Sequence, residues 1–421
     1  MRSLQFKIML GGLAVLLAGM ACSTVSPAVP TSATLPPASA APAVTDTASP
    51  IPATASPIPA TAAPTVPAIT DTATAVPPTT APTLPTLPAA PTPSIQSLYM
   101  LDQKNGWALT DTGVVRTSDG GSSWYNATPS GLNGAPVNPF FLDASTGWLA
   151  VNAGDPTTGT LYHTGNGGAT WKATTVPFGG GSLDFIDPLH GWDMVGLNAG
   201  MSHEAVAIFR TSDGGDTWSR VFINDPGVAG STDSLPLVGD KNGIIALDNN
   251  HAWVTGSQPS DNFIYVYTTQ DGGTTWVHQN LSIPSAYKGA MTGASLPVFF
   301  GSKEAVLPVL LFANNNGAEF YVSHDGGQNW SASMPIGQGG FLSVGSARDF
   351  FVWDGSAPLN ASHDAGASWS TVTPNVNIKD NMVSMQFINA STGWALTSDA
   401  NNHRKLYKTV DGGTTWTVQI P

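Results

Sequence analysis

Seven copies of one short pattern, S/T-x-D/N-x-G-x-x-W, recur along the last three quarters of the chain. They are Thr117/Asp119/Gly121/Trp124, Thr164/Asn166/Gly168/Trp171, Thr211/Asp213/Gly215/Trp218, Thr269/Asp271/Gly273/Trp276, Ser323/Asp325/Gly327/Trp330, Ser362/Asp364/Gly366/Trp369 and Thr409/Asp411/Gly413/Trp416. The Asp/Asn position advances by 47, 47, 58, 54, 39 and 47 residues. A repeat of fixed period constrains architecture more tightly than any single residue. Ile95 to Pro421 holds 327 residues, or about 47 for each of seven units, which is the length of a four-stranded propeller blade. The expected fold is all-β, a seven-bladed β-propeller over 95–421.

The first unit shows the strand pattern. Residues 95–101 read as an inner strand, 107–110 as a second, 114–117 as a third and 123–127 as a fourth, separated by turn-forming residues. A second mark, a turn followed by Trp, accompanies the first strand pair: Trp107, Trp148, Trp192, Trp253 and Trp394, with Trp353 shifted in unit 6 and Val306/Leu307 in its place in unit 5. These six and the seven of the main pattern account for all 13 tryptophans, so none is left for a private function. Of 28 acidic residues only Glu204, Glu304 and Glu319 are Glu. Asp favours turns and Glu favours helices, so this bias also points to an all-β, turn-rich domain.

The ends read differently. Residues 1–22 carry basic Arg2 and Lys7, an apolar run over 8–17, and mostly small residues up to Cys22, the sole cysteine, which is the layout of an export signal. Cys22 stands where a bacterial lipoprotein signal places the lipidated residue; a plain secretory signal is the alternative. Residues 23–94 hold 18 prolines in 72 positions, with no aromatic, Lys or Arg. Such a segment cannot build a core and is expected to be a disordered Pro/Ala/Thr-rich stalk. The expected location is therefore extracytoplasmic, with the membrane reached only through the lipid. Without the signal, 13 basic side chains face 28 acidic ones, which disfavours nucleic acid as a partner.

The box chemistry reads as structural. In a D-G-G turn the carboxylate accepts backbone N–H bonds of its own turn, and the second glycine takes the positive φ of a bulged hairpin. The box tryptophan is expected to cover the hairpin and fill the wedge toward the neighbouring blade. Asn166 replaces Asp in unit 2 and Ala365 replaces the first glycine in unit 6. An amide is a poor hard-cation ligand, so no metal is expected at these positions, nor any cofactor. This organisation resembles the Asp-box, or bacterial neuraminidase, repeat. The whole unit looks most like the photosystem II stability and assembly factor family of seven-bladed propellers. That resemblance implies a binding or assembly role; sialidases, xyloglucanases and sortilin-type receptors share the hairpin.

In this strand order the boxes and the turn-Trp marks lie at one end of each blade, and the connections between blades and between second and third strands at the other. Length varies mainly in the latter set: 223–240 and 279–297 between blades, and 197–205, 256–262 and 399–404 within them. These are expected to be surface loops, where function concentrates. The candidate ligand face carries His203, Glu204, Asp225, Asp233, Asp240, Asp261, Lys288, Lys379, Asp380, His403 and Arg404, with Phe178, Tyr287 and Phe341 as aromatic platforms. The glycine-rich entries 179–181 and 337–340 precede strands, so they read as close packing around the axis. No catalytic residues are assigned. The sialidase form of a glycoside hydrolase needs converging arginines, and the mature chain has only Arg116, Arg210, Arg220, Arg348 and Arg404, two of them repeated beside boxes. The reading is a monomeric protein- or glycan-binding module, with a sialidase- or xyloglucanase-type hydrolase and a photosystem assembly factor as alternatives.

Overall fold

A computed structural model describes residues 84–420, apart from 133, 153, 201, 202, 314 and 315. The expected signal with Cys22, and residues 23–83 of the expected stalk, lie outside the described residues. Seven four-stranded antiparallel blades follow one another in chain order, as the repeat requires. Their first strands are Ile95–Met100, Val137–Phe141, Ser182–Phe185, Asp240–Ala246, Val298–Phe300, Phe341–Val344 and Met382–Phe387. Among the described residues the only helical turns are Ser285–Tyr287 and Lys379–Asn381.

The first strands line the axis and are tied to their neighbours by side chains that reach across to backbone. Asp184 Oδ2 accepts from Ala246 N at 2.8 Å, and Ser343 Oγ from Phe387 N at 2.7 Å. The ring closes the same way: Gln386 of blade 7 accepts from Met100 N at 2.9 Å and donates to Met100 O at 2.8 Å in blade 1. Blade 7 ends on its own outer strand, Thr417–Ile420, so closure needs no strand from the other terminus.

Between blades the wedge is filled by flat rings. Trp148 stacks on Phe185 of the next blade at 3.6 Å between centroids, Phe351 on Phe387 at 3.7 Å, and Trp107 on Phe141 at 4.7 Å. Trp107, Trp148, Trp192, Trp253, Trp353 and Trp394 are all fully buried. Each buries on the order of 200 Å² of largely apolar surface, which makes the seams, not the blade faces, the core.

The seven box tryptophans share that work unevenly, which corrects the uniform wedge role expected of them. Trp124, Trp276 and Trp416 are buried, whereas Trp171, Trp218, Trp330 and Trp369 are half-buried. They sit on the outer hairpin, farther from the axis than the turn-Trp rings, where the wedge widens and water reaches part of each ring. Their indole N–H groups divide into two sets. Trp124, Trp218, Trp276 and Trp416 donate to the carbonyl of their own box's second glycine at 2.9–3.1 Å, so they brace the hairpin itself. Trp171, Trp330 and Trp369 reach back to the preceding blade instead, donating to Ala127 O at 2.8 Å, Gln279 Oε1 at 3.0 Å and Met334 O at 2.9 Å. Ring contacts point the same way: Trp171 meets Trp107, Trp276 meets Phe222, Trp369 meets Phe320 and Trp416 meets Trp353, each of the preceding blade. Trp218 lies edge-on to Phe178, just past blade 2.

The box hydrogen bonds divide into two kinds. In every blade the Thr or Ser hydroxyl accepts from the buried N–H of the second glycine, at 2.8–3.1 Å, and donates to the Asp or Asn oxygen. That oxygen in turn accepts the exposed backbone N–H four residues after the acid, for example Thr217 N to Asp213 at 2.9 Å. Asn166 makes the same bonds through its amide oxygen. The N–H of the box's first glycine position donates to the turn joining the blade's first two strands in all seven blades, from Gly120 N to Lys104 O through Gly412 N to Ser391 O. Ala365 fills that position in blade 6 at φ 62, a left-handed conformation that favours glycine. The sequence reading gave the main role to the carboxylate; the buried donor belongs to the hydroxyl.

Four segments depart from the expected outline. Residues 88–90, placed in the stalk, lie against the outer strand of blade 1: Ala90 N donates to Trp124 O at 2.8 Å and Asn126 N to Pro88 O at 2.7 Å. An outer strand leaves its backbone groups unpaired, and this segment covers them. The insertion 279–297 is not an open loop. Its Met291–Ala294 forms a strand that pairs with Ser257 and Gln258 of blade 4 and with Val309–Phe312 of blade 5, joining the two blades into one nine-stranded sheet. The insertion 223–240 packs along blade 3: Asn224 accepts from Val206 N, Glu204 N donates to Leu237 O, and Leu235 is fully buried. Blade 3 likewise turns its expected loop into ladder, Gly191–Gly200 against His203–Thr211.

Two outcomes follow from the boxes. Thr211→Val, which keeps shape but orphans the buried Gly215 N–H, is expected to lower unfolding stability by about 1–3 kcal/mol, and Asp213→Asn by less, as urea melts will report; the reverse ranking would restore the carboxylate to the main role. The second concerns acid. Hydrogen bonds from the Asn329 N–H and amide hold Asp325 at about 2, and those from the Ser368 hydroxyl and N–H hold Asp364 at about 2. For Asp213 burial acts upward, but the Thr217 and Thr211 bonds outweigh it and the carboxyl also sits at about 2. Carboxylates of an unfolded chain titrate near 4, so these groups stabilise the fold fully above about pH 4 and lose that contribution as pH falls through about 2. The share of the melting temperature owed to these three groups should be flat from pH 6 to about 4 and then drop. The triple variant Asp213→Asn, Asp325→Asn, Asp364→Asn should drop less steeply, each exposed group contributing modestly.

Candidate ligand-binding site

A pocket of about 310 Å³ opens at the end of blades 2, 3 and 4 opposite the boxes. Its walls are the starts of the first strands and the far ends of the second strands, so it lies on the face that the loop lengths single out. Asn138 and Asn152 come from blade 2, Gly181, Ser182, Met194 and Glu204 from blade 3, and Lys241 and Asn242 from blade 4.

Lys241 organises this wall. Its buried ammonium donates to three backbone carbonyls, Glu204 O, Leu237 O and Gly239 O, each at 2.9 Å, which uses every donor it has. Its own N–H donates to Glu204 Oε2 at 2.6 Å. Burial lowers the Lys241 amine to about 8, against the opposing charges of Glu204 and Asp240. Burial also raises the Glu204 carboxyl, opposed by the Lys241 N–H bond and charge. Burial thus shifts both groups toward neutrality, the pattern expected where a site takes charges out of water.

The amides are held by one end each. Asn138 Nδ2 donates to Gly181 O at 2.6 Å, Asn242 Nδ2 to Ala294 O at 2.8 Å, and Asn152 Oδ1 accepts from Gly154 N at 3.3 Å. Among the described residues nothing bonds to Asn138 Oδ1, Asn242 Oδ1, Asn152 Nδ2 or Glu204 Oε1, and Asn138 and Asn242 each keep a second N–H, which leaves three acceptor oxygens and donor N–H groups on all three amides at the pocket. The Asn242 bond also shows what the extra strand does, since Ala294 belongs to it. The glycines at 179–181 pack as expected, with a Cβ at Gly181 colliding with the Asp193 carboxylate and one at Gly179 with Asp155 O.

Of the residues singled out in the sequence, the structure brings Glu204 into the pocket and leaves Asp240 exposed beside Lys241. The others stand apart. His203 is exposed and bridges Gly239. Asp225 caps Gly227 N, Lys379 pairs with Asp354 at 3.0 Å, His403 with Asp399 at 3.0 Å, and Arg404 donates to Gln96 at the seam of blades 7 and 1. Asp233, Asp261, Lys288 and Asp380 are exposed and outside the pocket. The aromatic platforms are not platforms: Phe178 and Tyr287 are buried and Phe341 is half-buried against the seam of blades 6 and 7, because rings near the axis serve the core. Lys241, Asn138, Asn152 and Asn242 escaped the sequence reading.

A second cavity, of about 560 Å³, lies at the box end between blades 3, 4 and 5. Its acidic side chains are already committed, Asp248 to Asn250 and His251 and Asp325 to its own box. Among the described residues no group of three or more His, Cys, Asp or Glu is placed to hold a metal ion, and no helix is long and apolar enough to cross a membrane.

Residues 321–332, the box hairpin of blade 5, match the model of the BNR/Asp-box repeat. That hairpin is an Asp-box. A xyloglucanase of Hypocrea jecorina (strain QM6a) is 24% identical over 209 residues, 43% of this chain and 23% of that protein, so the match spans less than a quarter of the relative. Among solved structures, YCF48 bound to D1 peptide is similar with a TM-score of 0.49 and 19% identity, over 77% of this chain and 93% of that one. The GH74 xyloglucanase from Xanthomonas campestris gives a TM-score of 0.49 at 14% identity, over 80% of this chain and 56% of the enzyme. YCF48 from Cyanidioschyzon merolae gives 0.41 at 17% identity, over 68% and 84%.

The wall makes its own prediction. Lys241→Met leaves three carbonyls and Glu204 without their cation, and should cost about 3 kcal/mol or more while loosening 237–241. Hydrogen exchange at those amides will report it; unchanged protection would remove Lys241 from this role.

Proposed function

We propose that this chain is an exported, lipid-anchored propeller that acts as a non-catalytic binding module for a protein or glycan, through the face opposite the boxes. The observation that carries the reading is the pocket between blades 2 and 4, whose unpaired amide and carboxylate groups point to hydrogen-bonded recognition. The export signal and Cys22 in the sequence support delivery to a membrane surface, with the Pro-rich segment as spacer. A hydrolase is the second reading, favoured by the partial likeness to a xyloglucanase and by the raised Glu204 carboxyl. Glycoside hydrolysis ordinarily needs two carboxyl groups about 5–10 Å apart flanking the bond, and among the described lining residues Glu204 supplies the one carboxyl.

Capture from envelope extracts tests the module. The full chain carrying Glu204→Gln and Asn152→Ala should lose at least ten-fold of the partner recovered by wild type, with a melting temperature within a few degrees of it, since neither change removes a buried donor's partner. Equal recovery would move the site elsewhere. Turnover of xyloglucan by the purified protein, lost in Glu204→Gln, would overturn the non-catalytic reading.

A further inference from the structure

We infer that the pocket between blades 2, 3 and 4 takes one neutral sugar residue, held by hydrogen bonds at Glu204, Asn138, Asn152 and Asn242. This rests on the binding-module reading and narrows it to a ligand class. Lys241 bonds to the Glu204 main chain through its ammonium and to the Glu204 carboxylate through its N–H, so the one charged wall of the pocket is balanced by a cation that has no donor left for a ligand. An anionic sugar or a phosphate would face Glu204 with nothing to pair it, and a cationic group would meet a carboxylate already compensated. A neutral group fits.

Three free acceptor oxygens and free N–H groups on three amides border a space of about 310 Å³, near the lower limit for small-molecule pockets. A hydroxyl both donates and accepts, so neighbouring hydroxyls on a ring can satisfy a carboxylate oxygen, two amide oxygens and amide N–H groups together. A peptide group carries one donor and one acceptor at fixed spacing, and extended peptides dock on strand edges or long grooves; this pocket sits at strand ends. Apolar Met194, Val195, Leu197 and Pro156 share the lining, suited to the C–H face of a ring. Among the described residues the lining has no aromatic side chain, so affinity rests on hydrogen bonds and is modest for a single residue.

The pocket's polar groups are also held rigid. Asn138 is fixed by Gly181 O, Asn242 by Ala294 O in the extra strand, and Glu204 by Lys241 N. Polar groups pinned before binding lose little freedom on binding, which is what makes few hydrogen bonds sufficient.

Titration calorimetry and saturation-transfer NMR of the full chain, with the methyl glycosides of glucose, galactose, mannose, xylose and N-acetylglucosamine, and with glucuronate and a Gly-Asn-Gly tripeptide, test the assignment. At least one neutral glycoside should bind, and Glu204→Gln and Asn152→Ala should each weaken it ten-fold or more at unchanged melting temperature. Preference for glucuronate overturns the charge argument. Binding of the tripeptide in place of every glycoside, lost in the same variants, assigns the pocket to peptides and overturns the sugar. If no probe binds while capture of the envelope partner still depends on Glu204, the sugar assignment fails and the binding module stands. If capture is independent of Glu204 as well, both fail.

Discussion

A hydroxyl oxygen accepting a buried glycine N–H is the bond on which this fold turns. The glycine must bend backward to close the hairpin, and its N–H then points into the seam between blades, where water cannot reach it. The Thr or Ser two residues before the acid satisfies it, and the acid holds the hydroxyl in place. Once the hairpin is set, its first glycine position reaches the neighbouring turn and its tryptophan leans on the blade before it. Each blade is thereby given the same edge, and seven identical edges leave a ring as the way to cover all of them.

The seams then do what a central core does in other folds. Flat rings from one blade lie on flat rings of the next, and the axis carries polar side chains that bond across to backbone. Stability is consequently distributed among nearest neighbours, with no single centre whose loss unfolds the whole. That leaves the two ends of the ring with different jobs. The box end is committed to its own turns, since Asp102, Asp143, Asp187, Asp248 and Asn389 each accept N–H groups of the turn between first and second strands. The other end carries the length variation and the uncommitted polar groups.

The blade count, strand order and the location of the turn-bearing end were legible because box and turn-Trp marks state a local geometry that the physics of hairpins makes unambiguous. What escaped was whatever depends on who lies next to whom. The box motif spells the same tryptophan seven times, yet Trp124, Trp218, Trp276 and Trp416 bond within the hairpin while Trp171, Trp330 and Trp369 bond outside it, according to which acceptor the preceding blade presents. Met291–Ala294 has too few residues and too little alternation to read as a strand until blades 4 and 5 flank it. Pro88 to Ala90 reads as spacer by composition and pairs only because the edge of Tyr125–Asn126 is open. Asn138, Asn152 and Asn242 look like turn residues in sequence, and Lys241 like any surface lysine; their convergence comes from three blades meeting near the axis. Glu204 stood out because Glu is scarce in this chain, a compositional signal and not a geometric one.

A ring of near-identical units has no intrinsic beginning, and a visitor approaching along its axis would meet the same landscape seven times over. The strand Met291–Ala294 removes that degeneracy. By fusing one pair of blades and anchoring Asn242 beside them, it gives the circle an index mark, one seam bridged by a strand. Selectivity here needs no new chemistry in the repeat itself. One stitch across one seam is enough to turn a wheel into a dial.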